Sequence, residues 1–206
     1  MSQDHSKGGR PPKPGSRRWC AANRLRFGRL TALIVLHVCC AQAVHPQPNA
    51  LEYRVKAAFL YNFTRFVEWP AGTASPSGEP LDLCVLGENP FGSALEKTVQ
   101  GKTVRGQPLR VSVEEDAGDL EACEVIFISS SERKRMRKIL AGIGEHHALT
   151  VADTDDFLDW GGMINFVIKD GTVRFEIDLD RTKEAGIKVS SQLLRVAAAV
   201  RTSKER

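Results

Sequence analysis

Residues 51–70, LEYRVKAAFLYNFTRFVEWP, constrain this chain more than any other stretch. Leu51, Val55, Phe59, Phe63 and Val67 recur every fourth residue, with Ala58 and Phe66 beside them. That spacing predicts a helix with one apolar, aromatic face that must be buried. Pro70 then forbids continuation, because it offers no amide donor and pushes Trp69 out of the helical region.

Downstream, short apolar runs alternate with amphipathic ones. Residues 81–86 (LDLCVL) form an apolar run that stops at Gly87, and 91–99 read as a short amphipathic helix. Residues 109–113 (LRVSV) alternate like a half-buried strand, and 125–128 (VIFI) read as a strand buried on both faces. Ser131 opens a basic helix whose Met136, Ile139 and Leu140 face the sheet, and 149–151 is another short strand. The rhythm predicts an α/β fold: a single three-layer domain with a mostly parallel sheet and helices on both faces. Near the end, 163–168 and 173–177 flank Lys169-Asp170-Gly171-Thr172, the signature of an antiparallel hairpin at the sheet edge. A last helix is expected over 190–200, capped by Ser190 or Ser191.

The first 43 residues differ from the rest. Eight Lys or Arg stand against Asp4, an apolar run fills 30–40, and Ala41-Gln42-Ala43 follows. This is the pattern of a signal peptide cleaved after Ala43; the apolar run is shorter than the roughly 20 residues a bilayer span needs. Arg17-Arg18 lacks the apolar context of a twin-arginine signal, and His37-Val38 before Cys39 is a poor lipidation context. The expectation is an exported, periplasmic protein with one domain over 44–206, large enough for its own core. Of 29 basic and 25 acidic residues, the first 43 hold eight and one, which leaves 21 against 24 and a formal charge of −3. The basic footprint of a nucleic-acid binder is missing from that part.

Export also removes Cys20, Cys39 and Cys40, so that Cys84 and Cys123 remain. Two cysteines in an oxidising compartment pair or stay as buried thiols. No histidine stands near them at zinc-ligand spacing.

The chemistry-bearing motifs are weak. Gly87-Glu88-Asn89-Pro90-Phe91-Gly92-Ser93 resembles a phosphate loop without its lysine, and Pro90 removes one amide. Its place after a strand still makes Gly87, Asn89, Gly92, Ser129 and Ser130 candidates for a small-ligand site, since open sheets bind ligands where strand ends meet helix starts. Asp153, Asp155, Asp156 and Asp159 crowd one loop, but Leu158 and Ile164 occupy the positions where a calcium loop needs Gly and Glu. A solvated acidic loop is expected. His146 and His147 are adjacent and would point apart. Ser129-Ser130-Ser131 has no nucleophile elbow around it, and Arg133, Lys134, Arg135, Arg137 and Lys138 read as the wet face of their helix. No catalytic residue, metal ligand or cofactor is assigned.

Taken in order, EYRVKAAFLYNFTRFVEWP, LCVLG-x-x-PFG, CEVIFISSSE and GGMINFVIKDGTVRFEIDLDRTKEAGIKVSSQLLRVA resemble the YfiR-type family of periplasmic proteins over 51–200. The resemblance implies a non-enzymatic regulator. Members act as homodimers that bind the periplasmic sensor domain of an inner-membrane diguanylate cyclase and hold it inactive, controlling cyclic-di-GMP and biofilm formation. The family's disulfide maps onto Cys84 and Cys123. A second cysteine pair of some members has no counterpart within 153–165, and Asp178 stands where members usually carry Asn. The competing expectation is a periplasmic small-ligand sensor subunit for a membrane histidine kinase.

Overall fold

The computed structural model describes residues 50–70, 79–143 and 147–202. The expected signal peptide, residues 71–78 and His146 lie outside them. Helix α1 (Ala50–Phe66) leads into a two-residue strand β1 (Val67–Glu68). There follow β2 (Leu81–Leu86), α2 (Ala94–Val99), β3 (Thr103–Val104), β4 (Gln107–Glu114), β5 (Val125–Ile128), α3 (Met136–Ile143) and β6 (Leu149–Ala152). The hairpin β7 (Ile164–Lys169) and β8 (Thr172–Asp178) comes next, then α4 (Leu179–Glu184), β9 (Lys188–Val189), α5 (Ser191–Val196) and β10 (Ala199–Arg201).

Eight strands form one sheet in the order β10-β8-β7-β6-β5-β2-β4-β3. The pairings from β7 through β4 are parallel, β7 with β8 and β3 with β4 are antiparallel, and β10 returns parallel to β8. Because side chains alternate along a strand, Leu83, Val85, Val125 and Phe127 face the core under α1, while Cys84, Leu86, Ile126 and Ile128 face the core under α3. The α/β expectation of helices on both faces of a mostly parallel sheet thus holds, with the antiparallel hairpin formed one strand in from the edge.

Three expectations are corrected. The buried stripe of α1 is Tyr53, Lys56, Ala57, Leu60, Phe63 and Thr64, not the series from Leu51; Leu51 is 63% and Val55 37% exposed. Apolar residues occupy two sides of this helix, and a sheet can cover only one. Phe63, at the overlap, packs against Phe166 and Phe175 at 5.7 and 5.0 Å between ring centres. Second, the helix ends at Phe66, ahead of the Trp69-Pro70 stop, because Val67 and Glu68 pair with Val189 and Lys188 and the Ser190 amide donates to the Phe66 carbonyl at 2.9 Å. Third, the last helix stops at Val196. The Ser190 hydroxyl accepts from the Leu193 amide as the expected cap, but Ala197 is extended and 199–201 add a strand outside the hairpin. The open edge of β8 offers backbone donors and acceptors that a short alanine-rich tail satisfies.

Candidate functional site

The parallel strands end together, and the sheet reverses its winding between β2 and β5: α2 carries the chain from β2 toward β4, and α3 carries it from β5 toward β6. Such a reversal is where doubly wound sheets place ligands. All five candidate residues come to this end.

Their polar atoms are spent largely on one another. At Gly87 the backbone has φ +87°, and a Cβ there would stand 2.5 Å from Ser131 Oγ and 2.8 Å from Glu132 Cγ. Both the dihedral and the closeness demand glycine. The Glu88 amide donates to Ser131 Oγ at 3.0 Å, and the Ser131 amide donates to the buried Ser129 Oγ at 3.4 Å. Asn89 accepts from the Phe91 amide at 2.9 Å and donates to the Gly92 carbonyl at 3.2 Å, which closes its own turn. Ser130 is exposed, and of the five only Gly92 lines the groove beside this end. That groove, about 800 Å³, runs between α1 and α2 over Leu51, Val55, Ala58, Phe91 and Ala94.

Behind the groove lies a charged cluster that sequence reasoning missed. Lys56, 3% exposed, reaches Asp153 Oδ2 at 2.6 Å and Glu52 Oε1 at 2.5 Å, and the Tyr53 hydroxyl donates to the same Asp153 oxygen at 2.7 Å. Asp153 is therefore part of the interior, while Asp155, Asp156 and Asp159 stay exposed as the acidic loop was expected to. The one sequence signal was that Lys56 shares the stripe of Tyr53, Ala57 and Leu60, one of the two that helical periodicity weights alike.

Burial, and then the hydrogen bond to Asp153, raise the Tyr53 phenol well above its ordinary pKa of 10.0. The folded state then holds this proton after the unfolded chain has lost it. The stability it contributes is fully present below pH 10.0 and declines as the pH climbs further. In an alkaline titration followed by tyrosinate absorbance, Tyr53 is expected to ionise only with unfolding, and Tyr53→Phe to remove that component. A Tyr53 signal appearing near pH 10.0 in the folded protein would contradict this.

The disulfide joins Cys84, within β2, to Cys123, two residues ahead of β5, with Cα atoms 6.0 Å apart. It staples the pairing of β2 with β5 on which the strand-end loops rest. The basic residues of α3 and the turn before it are exposed as expected, and Arg133 and Arg137 lie over the Trp160 ring at 5.4 and 5.6 Å. His147 is exposed and bonds through Nδ1 to the Ala185 carbonyl at 2.8 Å.

The Gly161-Gly162-Met163 segment has a local cause. Gly161 adopts φ +103°, and a Cβ on Gly162 would fall 2.2 Å from the fully buried Phe157 ring. That close approach lets the Met163 amide reach Thr150 Oγ1 at 3.2 Å and the Asp178 amide reach the Met163 carbonyl at 2.8 Å. Gly162→Ala is expected to destabilise the fold by about 2 kcal/mol through overpacking. Urea unfolding measures this, and a loss below about 0.5 kcal/mol would show that Phe157 yields freely.

A family model described as YfiR/HmsC-like matches residues 53–198. Among solved structures, a conserved domain protein from Vibrio cholerae O1 biovar El Tor superposes with a TM-score of 0.50 at 8% identity, covering 72% of this chain and 60% of its own. This chain thus spans less than two thirds of that protein, and the likeness concerns the fold alone. An ABC domain from Streptococcus pneumonia in complex with L-Trp gives 0.43 at 11% identity over 59% of this chain and 55% of its own, too little overlap to carry an argument.

Proposed function

Since this chain belongs to the YfiR/HmsC-like family, we propose that it is a periplasmic regulator that binds the periplasmic sensor domain of an inner-membrane diguanylate cyclase and holds the enzyme inactive, limiting cyclic-di-GMP and biofilm formation. The family match over most of the described chain is the observation that carries this reading. In it, residues 1–43 are an export signal, 44–206 act as one non-catalytic domain, and the working species is a homodimer. The Cys84–Cys123 disulfide suits an oxidising compartment. No helix among the described residues is long and apolar enough to cross a membrane.

The regulator works by preferring one state of its target. A repressor shifts a cyclase only by its differential affinity for the inactive over the active sensor domain, and each tenfold of repression needs about 1.4 kcal/mol of that difference. The small-ligand sensor draws less support, because Gly87, Asn89 and Ser129 sit in loops closed by their own hydrogen bonds.

The test is reconstitution of the oxidised 44–206 chain with membranes of its own organism that contain a GGDEF-bearing protein. Cyclic-di-GMP synthesis should fall as the chain is added, and a Cys84→Ser, Cys123→Ser variant should repress less. Unchanged synthesis at saturating protein, or recovery of a histidine kinase instead, would overturn the cyclase assignment.

A further inference from the structure

Helix α1 carries more apolar surface than its own fold can bury. Its inner side packs Ala57, Leu60 and Phe63 on the sheet, yet Leu51 and Val55 stand in solvent on the other side with Ala58 in line. The spacing 51, 55, 58 is that of a second helical stripe. Exposed neighbouring Leu and Val side chains in a concave surface mark an interaction site more than scattered ones do.

The second wall is α2 with the turn before it, which contributes Phe91, Ala94 and Lys97. Arg54 projects from α1 into the same valley, and no Asp or Glu among the described residues lines it. Past the groove the cations continue: Arg65 and Lys102 lie over the Tyr61 ring at 5.8 and 4.2 Å. Residues 44–206 sum to a formal −3, so this positive edge is a local departure from the background. α1 itself runs about 25 Å at 1.5 Å per residue, long enough to lie against several turns of another helix.

We propose that the valley between α1 and α2 is a docking groove for an amphipathic helix that carries acidic side chains beside its apolar face. The walls are helical and present no free strand edge, so recognition through main-chain pairing is not offered and helix-in-groove packing is. A second copy of this chain fits poorly, because its own α1, laid in the groove, would bring its Arg54 against the Arg54 and Lys97 of the walls. The inference names the surface and partner chemistry of the regulatory contact, and in assigning the groove to that contact it rests on the reading above.

The experiment has two arms. In the first, oxidised 44–206 protein is titrated by fluorescence anisotropy with a synthetic helical peptide having Leu at i, i+3, i+4 and i+7 and Glu flanking them, and with its Glu→Lys counterpart. The acidic peptide should bind about tenfold or more tightly than the basic one, and Arg54→Glu/Lys97→Glu should reverse that order. These side chains are on the surface, and an unchanged circular dichroism spectrum and melting midpoint certify the variant's fold. Equal binding of the two peptides, no effect of the charge swap, displacement of the peptide by dodecanoate at lower concentration than the peptide itself needs, or a variant whose sedimentation shows a lost dimer would each overturn the proposal.

In the second arm the same variant is added to the cyclase membranes. Lost repression together with lost peptide binding supports the groove as the regulatory contact. Full repression by a variant that no longer binds peptide overturns the groove's role and leaves the cyclase reading standing. Selective peptide binding by a wild-type chain that represses nothing overturns the cyclase reading and leaves the groove as a docking site.

Discussion

Replacing Cys84 and Cys123 together by alanine is expected to lower the stability of the oxidised domain by about 4 kcal/mol, the chain-entropy value for a loop of this size. The two residues are 39 apart in sequence, so the cross-link removes a large set of open conformations from the unfolded chain. Both are also buried, at 1% and 7% exposure, within the core that α3 covers, next to Leu86 and Ile126. Alanine leaves no unsatisfied hydroxyl there, so the measured loss reports the cross-link and a small packing defect. For a domain of this size the melting midpoint should fall by about 10 °C. The check is urea unfolding of both proteins with and without reductant: reductant should bring the wild type down to the variant and leave the variant unmoved. A difference under about 1 kcal/mol would mean that the staple constrains little that the sheet pairing does not already hold. Under the proposed function, a loss of this size draws on a total stability of roughly 5–15 kcal/mol, so reducing conditions would deplete active repressor and raise cyclase output.

Removing Asp153 should cost nearly as much for an unrelated reason. Asp153→Ala strips Lys56 and Tyr53 of their shared acceptor while the ammonium, 3% exposed, stays inside. Breaking a buried pair from one side leaves an uncompensated charge, a penalty of about 3–5 kcal/mol in general. Glu52, with a side chain 27% exposed, keeps one contact at 2.5 Å, so the lower end, about 3 kcal/mol, is expected. Lys56→Met with Asp153→Ala removes the charge with its partner and should recover part of that loss, to within about 2 kcal/mol of the wild type, since an apolar side chain replaces an ion in a site lined by Tyr53 and Phe166 while the Tyr53 hydroxyl still lacks its acceptor. The double-mutant cycle from chemical denaturation tests this. Additive losses would show that Lys56 relaxes into water when freed and that the cluster is no buried pair.

Both effects bear on how much of this molecule was legible in advance. The strands at 81–86 and 125–128 were readable to the residue, because a strand buried on both faces tolerates few polar side chains and its run ends where the turn residues begin. The hairpin was readable from Asp170-Gly171, both with positive φ in the structure. Helix α1 was readable as an element but not in its orientation. Its apolar residues occupy two stripes, periodicity alone weights them equally, and only the sheet's placement selects the stripe from Tyr53 through Phe63 and leaves Leu51 and Val55 outside. The same ambiguity hid Lys56, which a periodic reading assigns to solvent for its charge.

The candidate ligand residues show the limit of local pattern more sharply. A glycine-rich turn after a buried strand announces a strand end near a helix start, and the structure does bring Gly87, Asn89, Gly92, Ser129 and Ser130 to one end of the sheet. Whether such a turn stays open depends on what the neighbouring strand's loop places against it. Here that is Ser131 and Glu132, 44 and 45 residues further along the chain from Gly87. The short strands β1, β9 and β10 are of the same kind: two or three residues carry no period, and they exist because partners distant in sequence leave backbone groups to satisfy.

What the sequence determined by itself was the set of long elements, their alternation and hence the fold class, since burial periodicity and turn chemistry are local properties that each segment carries alone. The tertiary structure decided which face of α1 is buried, which charges pair inside, which loop closes the strand ends and where the apolar groove opens. Each of these is a choice between stripes, partners or loops of near-equal local merit, and only contacts made across the sheet break the tie.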